Sequence, residues 1–155
     1  LNNGRRVLMK SKIVIRIILI ILIILWMLMI FSFSAQDGGE SSGLSRKIAL
    51  LFTKDEAQLE IIIPWIRKLA HFSEYGLGGV LTMSLMLTFE NIKNKWKVIS
   101  PSLFCIAYAG IDEWHQLYVP GRSGMLRDVY IDSLGVIVGV LVTLLIVKMI
   151  QAIRK

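Results

Sequence analysis

Four long apolar stretches divide the chain, and most of its polar residues lie between them. The stretches cover about 13–33, 69–89, 98–117 and 129–149. Each is close to the ~20 residues with which a helix crosses the ~30 Å hydrocarbon layer while satisfying its own backbone hydrogen bonds. None shows the period-2 alternation of membrane barrel strands. The pattern predicts an all-α fold, in which residues 1–155 form a single integral membrane domain built as a bundle of four transmembrane helices.

The connection between the first two stretches has a mixed pattern of its own. A Gly/Ser-rich turn covers 36–43, and the segment that follows, up to Ile63, mixes charged residues with apolar clusters. Leu44 and Ile48 recur at helical spacing, and Trp65 follows the segment. We therefore expect an interfacial segment at the outer membrane surface, with Trp65 at the depth of the lipid headgroups.

The distribution of positive charge predicts the orientation of the bundle. Lys and Arg residues lie before or at the start of the first stretch, between the second and the third, and at the end of the fourth or after it, with Glu90 as the one acid among them: Arg5, Arg6, Lys10, Lys12, Arg16, Lys93, Lys95, Lys97, Lys148, Arg154 and Lys155. The positive-inside rule places these segments, and so both termini, in the cytoplasm of a multi-pass cell-membrane protein. The formal net charge of +7 is then a topology signal, and it gives no reason to expect a nucleic-acid partner.

The first stretch also has features of a secretory signal peptide. It follows basic residues and ends in "SFSAQ", which would place a cleavage site after Ala35. Its apolar run, however, is longer than the ~7–15 residues of a signal-peptide core, and further apolar stretches follow it. We expect an uncleaved helix. Translation from Met9 would leave this topology unchanged.

Ionisable residues are concentrated where the four stretches reach the outer face. The strings there are "FSFSAQ", "RKLAHFSEYGLGG", "AGIDEWHQLYVPGRSG" and "RDVYIDSLGVIVG". Ionisable groups in or near the apolar layer cost several kcal/mol, so they usually face a protein interior or a watery cavity. The convergence of these strings on one face is the strongest functional signal in the sequence.

Spacing within the strings selects candidate site residues. Side chains three or four positions apart share a helix face, as His71 does with Glu74, and as Asp112 does with His115 and Gln116. The candidates for acid–base chemistry are His71, Glu74, Asp112, Glu113, His115 and Asp128. The candidates for substrate binding are Ser34, Gln36, Arg67, Lys68, Gln116, Arg122 and Asp132. We expect His71, Glu74, Glu113, His115 and Asp128 to line one pocket that opens to the outer leaflet.

A metal ion is compatible with the same residues. Two histidines and several carboxylates are suitable zinc ligands, and catalytic zinc commonly has three protein ligands and one open position. The sequence has no "HExxH" motif, and these residues would equally serve acid–base chemistry without a metal. Metal and cofactor are therefore left open, as is the oligomeric state.

The strings "FSFSAQ", "RKLAHFSEY", "DEWHQ", "PGRSG" and "RDVYIDSLG", in this order, resemble the VanZ-like membrane proteins, named for a teicoplanin-resistance factor. The resemblance extends from about Ser32 to about Gly139. Asp132 occupies a position more often filled by Asn in that family, which adds a carboxylate to the pocket. The resemblance implies a function at the cell surface, with lowered sensitivity to teicoplanin-type glycopeptides in the founding member, but it supplies no established reaction.

Three classes of function remain open at this point. The first is an enzyme acting on an outer-leaflet amphiphile such as a lipid-linked envelope precursor, with the acid–base candidates at its centre and Arg67 or Arg122 holding a phosphate or carboxylate. The second is a non-catalytic scaffold or binding protein whose polar residues join the helices. The third, a transporter or channel, is least favoured because no charged path runs through the cytoplasmic halves of the stretches.

Overall fold

Five helices make up the part of the chain that the structure describes. The computed structural model describes residues 3–154, without the side chains of 3–8, 40 and 41. Of the topology signals, the side chains of Arg5 and Arg6 and the whole of Lys155 lie outside this description. The helices are α1 (Asn3–Ser34), α2 (Gly38–Ala49), α3 (Glu56–Leu87), α4 (Asn94–Gln116) and α5 (Leu126–Ile153). No strand occurs between residues 3 and 154, so the all-α prediction is confirmed.

The four apolar stretches lie on α1, α3, α4 and α5 respectively. Two of these helices, α1 from Met9 to Ser34 and α5, are long and apolar enough to cross a membrane. Helix α3 begins at Glu56, well before its apolar stretch, because the Asp55 side chain accepts a hydrogen bond from the Ala57 N–H at 3.1 Å and caps the helix there. The segment predicted to lie at the membrane surface is thus divided between α2 and the first turns of α3.

Glycines bring α3 and α5 into backbone contact. A Cβ on Gly139 would lie 2.0 Å from the Gly76 carbonyl oxygen, and one on Gly135 would lie 2.2 Å from the Phe72 carbonyl oxygen. Gly139 follows Gly135 on α5 as Gly76 follows Phe72 on α3, so the two helices run parallel. Small residues four positions apart allow this approach in membrane helices, where packing and not water drives association. The register between α3 and α5 is consequently set by glycine.

Helices α1 and α4 pack against this pair through aromatic side chains. Trp26 of α1 is 3% exposed, its ring covers Gly78, and its Nε1 donates to the Glu74 carbonyl oxygen at 2.8 Å. The Tyr108 hydroxyl of α4 donates to the Met27 carbonyl oxygen at 2.7 Å. Buried Trp and Tyr side chains usually find such partners for their polar atoms. These bonds fix α1 against α3 and α4.

The two ends of the bundle differ in their chemistry. At one end, the N–H of Gly38 at the start of α2 donates to the Pro120 carbonyl oxygen at 3.1 Å, joining the α1–α2 turn to the α4–α5 loop. At the other end, Lys12 of α1 forms an ion pair with Glu90, and this hydrogen bond lowers the pKa of the exposed Glu90 carboxyl. All four polar strings lie at the first end, as the sequence predicted.

Candidate functional site

Three helices contribute one side chain each to a cluster of potential ligand atoms. His71 comes from α3, Glu113 from α4 and Asp132 from α5, and each offers an atom that lies within 4.8 Å of the other two. His71 Nδ1 is 3.6 Å from Asp132 Oδ1, an ion-pair distance slightly longer than a hydrogen bond. We refer to these three residues as the central cluster.

The glycine contacts explain why His71 and Asp132 meet. His71 immediately precedes Phe72, whose carbonyl oxygen touches Gly135, and Asp132 lies three residues before Gly135 on α5. A side chain one helical turn from such a backbone contact lies on the face of its helix that meets the other helix. His71 and Asp132 both lie close to the contact between Phe72 and Gly135, so they face each other across the interface of α3 and α5. The sequence of α5 places a carboxylate at this position.

The carboxylate of Asp132 is fully enclosed by protein. The residue is 0% exposed, and within residues 3–154 neither of its carboxylate oxygens has a hydrogen-bond donor. Buried carboxylates are normally hydrogen-bonded or paired, because desolvation strongly disfavours the charged form. The His71 imidazole is the nearest compensating group in this part of the structure.

The loop between α4 and α5 orients the carboxylate of Glu113, which is 4% exposed. Its Oε2 accepts a hydrogen bond from the Met125 N–H at 2.7 Å. A Cβ on Gly124 would lie 2.1 Å from the Glu113 carbonyl oxygen, so the loop approaches α4 as only glycine permits. Oε1 is also buried and has no hydrogen-bond partner among the described residues. The loop therefore holds one carboxylate oxygen of Glu113 and leaves the other without a partner in the described part of the chain.

Two cavities adjoin the central cluster and share Arg67 and His71. One, of about 360 Å³, lies between α3, α5 and the polar loops. The other, of about 240 Å³, lies between α1, α2, α3 and α4. The first is lined by Ser42, Ile63, Pro64, Arg67, Lys68, His71, Ser123, Met125, Arg127, Asp128 and Ile131. The second is lined by Ile30, Phe33, Ser34, Gln36, Leu44, Ser45, Ile48, Arg67, Ala70, His71, Glu74, Asp112 and Arg122.

Cationic and apolar groups occur together in both cavities. Burial lowers the pKa of the Arg122 guanidinium, and the neighbouring positive charge of Arg67 lowers it further. An arginine starts from so high a pKa that it stays protonated at neutral pH after such a change. The carboxylates of Asp112, Glu113 and Asp128 oppose this lowering, so Arg122 has neighbours of both signs.

His115 lies away from His71. It is half-buried, its ring is 4.8 Å from that of Phe31, and it lines a separate, mostly apolar cavity of about 350 Å³ with Tyr108 and Asp112. Asp112 lines both this cavity and the one that contains Glu74. Residues three apart on a helix point about 60° from each other, which is enough to direct Asp112 and His115 to different spaces. The single pocket expected from the sequence is thus several connected spaces, and His115 is outside the one that contains His71.

The other predicted site residues lie around these spaces. Gln116 is buried and donates from Nε2 to Asp112 Oδ2 at 3.2 Å. Ser34, at the end of α1, is buried beside the smaller cavity. The Lys68 ammonium lies 5.2 Å above the Trp65 ring, as a side chain that extends towards headgroups would.

Helix α2 contributes residues that the sequence did not assign to the site. Leu44, Ser45 and Ile48 line the smaller cavity. The i, i+4 spacing of Leu44 and Ile48 indicated an amphipathic helix, but such a pattern does not say whether its apolar face meets lipid or protein.

Comparison with known families confirms the family resemblance predicted from the polar strings. The family model described as VanZ/LLP1 matches residues 19–147, which include the central cluster and all four apolar stretches apart from their outermost residues. No curated protein and no solved structure matches the chain.

Proposed function

Because the chain belongs to the VanZ/LLP1 family, we propose that it is a multi-pass membrane protein that binds or acts on an anionic amphiphile of the cell envelope. In this proposal α1, α3, α4 and α5 cross the membrane, both termini are cytoplasmic, and the polar end faces outward. The apolar character of α1 and α5 supports membrane insertion. The charge distribution supports the orientation.

One observation carries the choice of ligand: the two cavities combine arginines with apolar walls around one histidine. Arg67 and His71 belong to both cavities, and Ile63, Pro64 and Ile131 supply apolar surface in the larger. A lipid-linked phosphate or carboxylate presents the complementary pair, an anionic headgroup next to a hydrocarbon chain. Arginine suits planar, bidentate recognition of such oxyanions.

The surroundings of His71 suit acid–base chemistry on the bound headgroup. A general base is usually oriented by a third group, and Asp132 Oδ1 is 3.6 Å from His71 Nδ1. Glu74, also in the smaller cavity, is a further proton donor or acceptor. In this proposal His71 exchanges a proton with the headgroup while Asp132 fixes the orientation of the imidazole. Lowered susceptibility to teicoplanin-type glycopeptides would be a consequence of altering such a surface lipid.

The non-catalytic alternative has an observation in its favour. The Glu113 carboxylate joins α4 to the next loop through the Met125 N–H, and Gln116 joins Asp112 within α4. Such bonds hold a bundle together without any reaction. A scaffold that only binds the amphiphile would retain the cavities and use His71 for positioning.

Lipid binding to the full chain in nanodiscs tests the proposal. We expect a polyprenyl phosphate to bind more tightly than the polyprenol of the same length, because the phosphate meets Arg67. Arg67→Gln should weaken phosphate binding by about tenfold or more, since hydrogen bonds to charged groups contribute ~1.5–3 kcal/mol. Lys93→Gln, which removes one positive charge just before α4 at the other end, is the matched control and should bind as wild type does. Equal binding of phosphate and alcohol would contradict the proposed ligand class.

A further inference from the structure

The central cluster has the composition and spacing of a metal site. We propose that His71, Glu113 and Asp132 bind a divalent transition-metal ion such as zinc. The inference rests on the proposed function only in locating the metal beside the amphiphile cavities, because metal binding itself can be measured with no lipid ligand present. In the metal-bound form His71 is a ligand, and the proton exchange proposed above falls to Glu74 in the adjoining cavity.

The distances between the ligand atoms suit such an ion. Ligands ~2.0–2.1 Å from a tetrahedral zinc are roughly 3.3 Å from one another. His71 Nδ1 and Asp132 Oδ1 are already 3.6 Å apart, and all three ligand atoms lie within 4.8 Å of one another. Small rotations of the Glu113 and Asp132 side chains would bring the three ligand atoms to the distances of a zinc site. A random group of buried acids would not converge to this degree from three helices.

The free atoms of the cluster are those that a metal requires. His71 Nδ1, Glu113 Oε1 and both carboxylate oxygens of Asp132 are buried, and none of them has a hydrogen-bond partner in the described part of the chain. Polar atoms enclosed in this way are normally satisfied by protein, water or an ion. One atom from each of the three residues lies within 4.8 Å of the other two, which distinguishes this cluster from scattered unsatisfied groups.

Charge balance favours a dication over a proton shared within the cluster. Glu113 and Asp132 bring two carboxylates next to one imidazole. A divalent ion neutralises both carboxylate ligands and leaves the imidazole neutral, which is the form in which histidine binds metals. One nitrogen and two oxygens suit zinc and also manganese or iron.

The surroundings resemble those of catalytic metal sites more than those of closed structural ones. The Met125 N–H holds Glu113 Oε2 at 2.7 Å, which orients Oε1 as outer hydrogen bonds orient metal ligands elsewhere. His71 faces both cavities, so a fourth ligand can enter from either. Three protein ligands with one accessible position describe a metal that would bind a phosphate oxygen or a water molecule.

Metal titration of the purified full chain tests the site. After chelator treatment and its removal, we expect one equivalent of Zn²⁺ or Mn²⁺ to bind, measured by calorimetry and by elemental analysis after dialysis. His71→Gln, Glu113→Gln and Asp132→Asn should each weaken binding by at least about 100-fold, since even outer-shell changes cost 10–100-fold. Asp112→Asn, a buried acid next to Glu113 and outside the cluster, is the matched control and should bind as wild type does.

Thermal unfolding separates loss of the site from loss of the fold. Zn²⁺ should raise the melting temperature of the wild type and of Asp112→Asn but not that of Asp132→Asn. Without metal, Asp132→Asn should melt no lower than the wild type, since it removes a buried charge without changing the side-chain shape. Failure of both metals to bind the wild type, or equal loss of binding in Asp112→Asn, would overturn the proposal.

The lipid and metal measurements fail independently. If Zn²⁺ binds through the three residues while polyprenyl phosphate does not bind, the metal site stands and the proposed ligand class is wrong. If the lipid binds equally to wild type and Asp132→Asn in the presence of chelator, and no metal binds to the wild type, the ligand class stands and the metal site is wrong.

Discussion

At the level of single side chains, the surroundings of each histidine decide what its imidazole can do. His71 lies between the buried carboxylate of Asp132 and two cavities that contain Arg67. His115 packs against Phe31 in a mostly apolar space. A group that transfers protons needs an orienting partner and access to its substrate. His71 has a carboxylate oxygen 3.6 Å from its Nδ1 and lines both cavities, so it suits the proposed role better than His115 does.

The two histidines should therefore differ when each is changed to glutamine. His71→Gln should lower the rate of the proposed reaction on the headgroup by about 10²–10⁴-fold, the usual contribution of a general acid or base. His115→Gln should keep most of the activity. Teicoplanin susceptibility of a host that expresses each variant, normalised to the amount of protein in the membrane, measures the difference. Equal loss from both variants at wild-type abundance would contradict the assignment to His71.

At the level of the helices, the contact between α3 and α5 controls the geometry of the site. Glycines at 76, 79, 135 and 139 bring the two backbones together one to two turns from His71 and Asp132. A Cβ at Gly79, Gly135 or Gly139 would lie 2.5, 2.2 or 2.0 Å from a carbonyl oxygen of the other helix and would push the helices apart. The distance between the His71 imidazole and the Asp132 carboxylate would then change as well. The packing of α3 against α5 therefore determines how these two groups are placed.

Gly139→Ala should be destabilising for this reason. Its Cβ would lie 2.0 Å from the Gly76 carbonyl oxygen, and backbone cannot move aside as a flexible side chain can. We expect a loss of about 1–3 kcal/mol, the usual cost of overpacking. Gly110→Ala is the matched control within α4, where a Cβ would meet nothing within 4 Å, and it should be neutral or stabilising by up to ~1 kcal/mol. Thermal unfolding in one detergent compares the two, and equal melting temperatures would refute the role of the glycine contact.

Spacing along the sequence predicted the individual faces of the helices but not how those faces meet. The i, i+3 relation of His71 and Glu74 is visible in one helix, and both residues do line the smaller cavity. The meeting of His71, Glu113 and Asp132 depends on the register between three helices, which arises from backbone contacts such as Phe72 with Gly135. No pattern within one helix contains that register. For the same reason the sequence grouped His115 with His71.

At the level of the whole molecule, the connections at the polar end form a single unit. The Gly38 N–H binds the Pro120 carbonyl oxygen, and Gly121 follows with a φ of +70°, a backbone conformation that favours glycine. The start of α2 is thereby held against the loop that also orients Glu113. In the proposed topology this unit faces the outside of the cell.

Labelling of single cysteines tests that topology. Gly39→Cys and Ser123→Cys lie in exposed positions at the polar end, and Asn94→Cys lies at the other end. In the same loop, a cysteine at Gly121 would be strained by the positive φ of that residue, so Ser123 is the position chosen for labelling. An impermeant thiol reagent added to intact cells should label the first two and not the third. Cys105 is fully buried and should give little background. Labelling of Asn94→Cys from outside would reverse the orientation.

The ionisable residues that make up the site also have a consequence for biogenesis. Helices α3 and α4 carry His71 and Glu113, whereas Asp132, the charge partner of His71, is on α5, which begins roughly 40 residues after α3 ends. At synthesis rates of ~5–20 residues per second, a ribosome needs roughly 2–8 s to complete that interval. In a chain that crosses the membrane as proposed, α3 waits at the translocon during that time without α5 to cover its polar face, and α4, which ends roughly 10 residues before α5 begins, waits for a shorter time. An insertase or chaperone that shields unpaired helices would then determine how much of the protein reaches the bilayer.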